Sequence, residues 1–298
     1  MWIKSSGPLT ENVYQLTTAL STHFLVGGEC AALIDTGASA THERLVQELQ
    51  KYLGDSSELK YIFLTHAHFD HVGGIPFLRK YAPHVQVVAA PLTAQILADP
   101  ESSKTFYEKN KRVAEAMNVP MEMSFEEWRE LLKVDRILGD GDVIDLGADV
   151  DVKLIGCPGH TEDIVAYYIR SDSALAAAEA IGSYEGRDKL TPCFPWSYHN
   201  YVISLDRLAG LEVKVLGLPH AGALTGELPA KYLVEARIAA DRFAVSVRER
   251  IEQGELVDEI FNAQLLEWVS QNLCPEGPFV DEQAATLKEM VRIVAENK

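Results

Sequence analysis

Hydrophobic and polar positions along the first ninety residues switch between two periods, and the switching predicts short strands alternating with helices. Val13–Thr17, residues 23–26 and residues 31–35 have strand character, with Gly27-Gly28 offering a hairpin turn between the last two. Leu45, Leu49 and Tyr52 then fall on one face of a helix that Ser39 or Thr41 could cap and Gly54 ends. Tyr61-Ile62-Phe63-Leu64 reads as a buried strand, a helix runs through Leu78, and residues 85–89 return as strand. Such alternation is the mark of a layered α/β domain.

Residues 91–135 break the rhythm. They are charged, carry Phe106, Val113 and Met117 at helical spacing, and contain no convincing strand, so they read as a helical insertion. Strands resume at 143–146, 150–155, 164–169 and 174–178. Beyond Pro229 the pattern is helical throughout, with Leu233, Ala236, Ala240, Phe243, Val247 and Ile251 forming a stripe. Two more helices are expected over 256–272 and 281–297, separated by Pro275-Glu276-Gly277-Pro278. The expected organisation is a layered domain over 1–228, carrying the insertion, and a helical extension over 229–298 packed on it.

Composition narrows the function. A formal charge of -17 and a pI near 4.9 argue against nucleic acid and anionic membranes, which reward clustered Lys and Arg. No window reaches the ~18 apolar residues of a membrane span, and the first residues lack the apolar core of a signal peptide. Cys30, Cys157, Cys193 and Cys274 are scattered without a C-x-x-C pair. Reduced thiols and a cytoplasmic location are expected, with a small-molecule substrate and with assembly as a homodimer left open.

Thr65-His66-Ala67-His68-Phe69-Asp70-His71 concentrates three imidazoles and a carboxylate directly after the buried strand. On an extended loop His66 and His68 aim the same way, and a turn after Phe69 redirects Asp70 and His71 toward a second point. That arrangement suits two metal ions a few Å apart. Imidazole nitrogen and carboxylate oxygen suit zinc first and admit iron or manganese. His23, His42 and His84 read as packing or surface residues.

The His66-Ala67-His68-Phe69-Asp70-His71 run resembles the His-x-His-x-Asp-His signature of the metallo-β-lactamase fold superfamily. The later segments Pro158-Gly159-His160-Thr161 and Leu218-Pro219-His220-Ala221-Gly222, and the earlier Leu33-Ile34-Asp35-Thr36-Gly37, stand where that family places its remaining motifs. The resemblance implies a four-layer αββα sandwich and two divalent metals. It places His66, His68 and His160 on one ion and Asp70, His71 and His220 on the other, with Asp35 bracing the loop from behind. Glu179, in Ala178-Glu179-Ala180, takes the position where the family carries a metal-bridging Asp, one methylene shorter.

The implied chemistry is hydrolysis by a metal-bound hydroxide, with Asp70 orienting the water or passing a proton to the leaving group. A helical insertion together with C-terminal helices resembles the thioesterase and phosphodiesterase branch of the quinolone-signal response type. A thioester or carboxylic ester is therefore the first expected substrate class. The alternatives are a phosphodiesterase of the same fold and a catalytically weakened ligand-binding or regulatory protein. Trp196, Tyr198 and His199 lie in an aromatic segment read as a loop that could meet the substrate.

Overall fold

The computed structural model describes residues 1–186, 189–270 and 280–296. Its contacts divide into two compact units: residues 1–156, 163–178 and 213–229 form one, and residues 157–162, 179–212 and 230–298 the other.

The first unit is built on two sheets. One runs in the order β2 (Gly7–Pro8), β3 (Val13–Thr17), β4 (Thr22–Gly27), β5 (Ala31–Ile34), β6 (Leu59–Phe63), β7 (Gln86–Ala89) and β8 (Arg136–Ile137). Its first half is an antiparallel meander, and from β5 to β8 the strands are parallel. Parallel neighbours need crossovers, which helices α1 (His42–Tyr52) and α3 (Ile75–Tyr81) supply. The other sheet runs β1 (Trp2–Ile3), β16 (Gly222–Thr225), β15 (Val215–Leu218), β12 (Ala174–Ala176), β11 (Val165–Ile169), β10 (Val150–Gly156) and β9 (Val143–Gly147).

Alternation along the strands divides their side chains between two cores. Phe24, Val26, Ile34, Phe63 and Val88 from the first sheet pack with Val152, Leu154, Val165, Tyr167 and Val215 from the second. Leu25, Leu33, Ile62 and Val87 point the other way and meet Leu45, Leu49, Ile75 and Leu78 of the crossover helices. Helix, sheet and sheet are thus stacked by strand period alone.

Three helices occupy the segment read as an insertion: α4 (Pro91–Ala98), α5 (Pro100–Ala116) and α6 (Phe125–Leu131). They pack into the core rather than stand apart from it. Leu97, Met123, Trp128 and Leu132 belong to the outer core, and Trp128 is fully buried there. The charge of the segment hides this role because these helices bury one face and expose the rest, as amphipathic helices do. The cap of α1 also differs from expectation. Thr41 stands at its start without a side-chain capping bond; its hydroxyl donates to Ala38 O, and Ser39 Oγ donates to Gly73 O.

The second unit holds all but the first residue of a short 3-10 turn over Ala178–Ile181, a hairpin of β13 (Ser183–Gly186) and β14 (Lys189–Thr191), helix α7 (Tyr198–Ala209), all but the first two residues of α8 (Leu228–Glu252), and helices α9 (Val257–Ser270) and α10 (Val280–Ala295). Leu233, Ala236, Ala240, Phe243 and Val247 bury the face of α8 expected of them. The Pro275-Pro278 break, Cys274 and the expected helix ends at Asn272 and Asn297 lie outside the described residues. Residues 198–209 overturn the loop reading. Ser197 caps a helix there by accepting from Asn200 N, and Tyr201, Leu205 and Leu208 form its buried stripe.

Candidate metal centre

Parallel strands β5 and β6 end at the same edge of their sheet, so the residues that follow them emerge together. Asp35 follows β5 and the segment 65–71 follows β6. Asp35 has a left-handed backbone, with φ 58, which few residues other than Asn and Asp adopt. That turn aims its carboxylate at the histidine loop. Thr65 N–H donates to Asp35 Oδ1 at 2.9 Å, and Thr65 Oγ1 and His71 Nδ1 donate to Asp35 Oδ2 at 2.7 and 2.9 Å.

These bonds decide where the imidazole protons sit. A carboxylate only accepts, so His71 carries its proton on Nδ1 and leaves the Nε2 lone pair for a ligand. Thr65 spends its one hydroxyl proton on Asp35 and therefore accepts from His66 Nδ1, 3.1 Å away. His220 Nδ1 donates to the Leu20 carbonyl at 2.9 Å. In each of these three rings Nε2 is the nitrogen that carries the ligating lone pair.

The turn predicted after Phe69 is a single helical turn, α2 (Phe69–Val72), which carries Asp70 and His71 away from the extended His66 and His68. His66 and His68 lie with ring centroids 4.5 Å apart, and His66 and His71 with centroids 4.2 Å apart. Ligand atoms of Asp70, His71 and His220 fall within 4.8 Å of one another, with His220 Nε2 3.8 Å from Asp70 Oδ2. Burial is graded: His66 is enclosed, Asp70 is half-buried and His220 is exposed. Such a donor set fits a divalent ion of the zinc class.

Several supports escaped the sequence reading. Asp163 Oδ2 accepts from Ala67 N–H at 2.8 Å and from Thr93 Oγ1 at 2.9 Å. Thr36 donates both its N–H and its hydroxyl to His71 O. Tyr167 OH crosses from the second sheet to Leu64 O at 2.9 Å, and Val165 N–H donates to Thr65 O. His23, read as a packing residue, is buried beside this ensemble. Burial, and then the neighbouring His71 and His220, lower its pKa to about 3, so it stays neutral.

His160 and Glu179 belong to the second unit. His160 lies between β10 and β11, and its Nδ1 is 3.1 Å from Cys193 Sγ. No Cys-His pairing was expected from the sequence. The preceding Gly159 cannot be replaced freely, since a Cβ there would come within 2.5 Å of the Tyr201 backbone. Glu179 is buried in the 3-10 turn after β12, which stops at Ala176 rather than continuing to 178. Trp196 and His199 are exposed, while Tyr198 OH donates to Asp241 Oδ1 at 2.6 Å. Burial and that bond push the Tyr198 hydroxyl up to about 12, so it stays protonated and donates to Asp241.

A two-sheet sandwich whose strand ends converge on a histidine-rich loop defines an α/β metal-binding protein. The chain belongs to the metallo-β-lactamase superfamily, whose family model matches residues 19–220. It is 26% identical over 218 residues to the putative diflavin flavoprotein A 2 of Synechocystis, covering 67% of this chain and 33% of that protein. It is 29% identical over 140 residues to hydroxyacylglutathione hydrolase of Rhodopseudomonas palustris, covering 47% of this chain and 39% of that one. The chain thus spans well under half the length of both. Its structure resembles the metallo-β-lactamase family protein TTHA1429 of Thermus thermophilus, with TM-score 0.60, 23% identity and coverage of 97% and 95%. Among the described residues no helix is long and apolar enough to cross a membrane.

Proposed function

We propose that this chain is a dinuclear metal-dependent hydrolase acting on a small-molecule thioester or carboxylic ester. The carrying observation is the convergence of Asp70, His71 and His220 donor atoms within 4.8 Å, beside His66 and His68. The order of motifs along the chain adds His160 to His66 and His68 as ligands of one ion, and Glu179 as the carboxylate shared with the Asp70, His71 and His220 ion. Zinc is the first choice of metal, in a cytoplasmic setting that suits the unbridged thiols of Cys30, Cys157 and Cys193.

When bound, divalent ions supply Lewis-acid polarisation of the substrate oxygen and acidify water toward neutrality. The protein's own part is to keep the Nε2 lone pairs of His66, His71 and His220 available, through Asp35, Thr65 and the Leu20 carbonyl. Asp70, half-buried at the rim, takes up the proton released as water adds and returns it to the departing sulfur or oxygen. Similarity to a hydroxyacylglutathione hydrolase supports the thioester class.

The test combines elemental analysis of protein purified without added metal with turnover of thioester, ester and bis(p-nitrophenyl) phosphate substrates. Thioester or ester hydrolysis that disappears in His68→Ala is expected. Turnover of the phosphodiester alone moves the assignment to a phosphodiesterase. Bound metal with no turnover of any substrate moves it to a binding protein.

A further inference from the structure

Helix α5 reaches the backbone of the metal-ligand turn through the side chain of Asn110. Asn110 is fully buried, and each of its amide hydrogens and its oxygen has a backbone partner. Asn110 Oδ1 accepts from Ser39 N–H at 2.7 Å. Asn110 Nδ2 donates to Phe69 O at 3.0 Å and to Phe106 O at 3.1 Å. The orientation of the carboxamide follows from these partners, because an N–H needs the oxygen and two carbonyls need the NH2 group.

The three partners belong to three different pieces of chain. Ser39 lies in the segment after Asp35, Phe69 opens the turn that carries Asp70 and His71, and Phe106 is one turn earlier in α5 itself. Space around the amide is closed as well. A Cβ on Gly73 would overlap the Asn110 side chain, and Trp128 Nε1 and Ser39 Oγ both donate to Gly73 O. The turn therefore has little freedom to settle elsewhere while Asn110 holds it.

We propose that Asn110 is a positioning residue for the metal centre: by joining α5, Ser39 and the Phe69 carbonyl it sets the direction in which Asp70 and His71 present their donor atoms. This inference rests on the metal-binding reading above and adds a residue 41 positions beyond Phe69 in the chain. Asparagine suits the task because the site needs one acceptor and two donors in a plane. Aspartate has the same shape but turns oxygen toward two carbonyl oxygens, so it opposes the turn while keeping the bond to Ser39. Loss of a partner that orients metal ligands typically weakens binding by about tenfold to a hundredfold.

The experiment measures Zn2+ affinity of the full chain by chelator competition for wild type, Asn110→Asp and Asn110→Ser, each with and without Asp70→Ala. Thermal unfolding of the metal-free proteins is followed alongside. Asn110→Asp is expected to bind Zn2+ about tenfold more weakly than wild type, and this loss should shrink once Asp70 has been removed. Asn110→Ser, which is small enough to admit water, carries the same comparison should the aspartate variant fail to fold. Equal affinities in wild type and variants overturn the inference, as does an identical loss in both backgrounds, which would signify general destabilisation. Wild type that holds no Zn2+ overturns the metal-binding reading itself, and with it the role of Asn110.

Discussion

Replacing Asp35 by asparagine isolates the proton-holding function of its carboxylate. Asparagine tolerates the left-handed backbone at φ 58, so the turn after β5 is kept and strain is not added. The amide oxygen can still accept from Thr65 N–H in place of Oδ1. At the Oδ2 position, however, an NH2 group now faces the donors Thr65 Oγ1 and His71 Nδ1. Two charge-assisted bonds, each contributing about 1.5–3 kcal/mol, are lost or reversed. His71 can recover one by moving its proton to Nε2, which leaves Nδ1 to accept from the amide. That rescue occupies the atom needed for metal. We therefore expect the metal-free Asp35→Asn variant to be destabilised by about 2–4 kcal/mol in denaturant titrations. Its metal affinity should fall by about tenfold to a hundredfold, equivalent to roughly 1.4–2.7 kcal/mol. Nitrogen chemical shifts of the histidine rings report the tautomer directly. An unchanged Nδ1–H tautomer at His71 together with wild-type metal affinity would refute the reasoning.

Below about pH 6.5, acid should erode stability partly through His23: its folded pKa of about 3 lies under the unfolded value of 6.5, so between those limits the unfolded chain binds the extra proton. His23→Phe should flatten that part of the stability profile, and an identical slope in both proteins would remove His23 as its cause. Trp128→Ala should cost about 3–5 kcal/mol in equilibrium denaturation, as for other large core truncations. Deleting residues 101–132 should unfold the protein, since Trp128 and Asn110 leave with them; a folded deletion variant would show that the insertion is dispensable to the core. Glu179→Ala should reduce metal content below that of wild type, whereas Glu179→Asp should retain it, both read by elemental analysis.

Much of the sandwich was legible because period-two and period-3.6 patterns are local. Strands β3 to β7 and helices α1 and α8 all announce themselves within their own sequence. The histidine run was legible for a different reason: four ligand-type residues crowded into six positions have no packing explanation. What stayed hidden is what depends on distance along the chain. Asp163 meets Ala67 across 96 positions and Asn110 meets Ser39 across 71, and nothing near either residue marks it. The apolar spacing within α5 was visible, but the charge of α5 and α6 concealed how far the segment belongs to the core, and the proline and aromatic residues before Tyr198 concealed a capped helix.

Pairing of β1 with β16 ties an early segment of the sandwich to one made much later. Trp2 lies opposite Leu224 and Ile3 opposite Ala223, so residues 2–3, made early, wait for some of the last strand residues of the sandwich. Until then Trp2 and Ile3 have no strand to join, while the sheet from β2 to β8 can already assemble from residues 7–137. Contacts of such long sequence separation form slowly. Synthesis at about 5–20 residues per second leaves an interval of roughly four to eighteen seconds between the end of β8 and the end of β16, during which one sheet can exist without the other. A half-built sandwich of that kind presents the apolar faces of Phe24, Val26 and Ile34 to whatever is nearby. Chaperone demand in the cell should therefore be greatest before residue 225 emerges, and should fall steeply once it has.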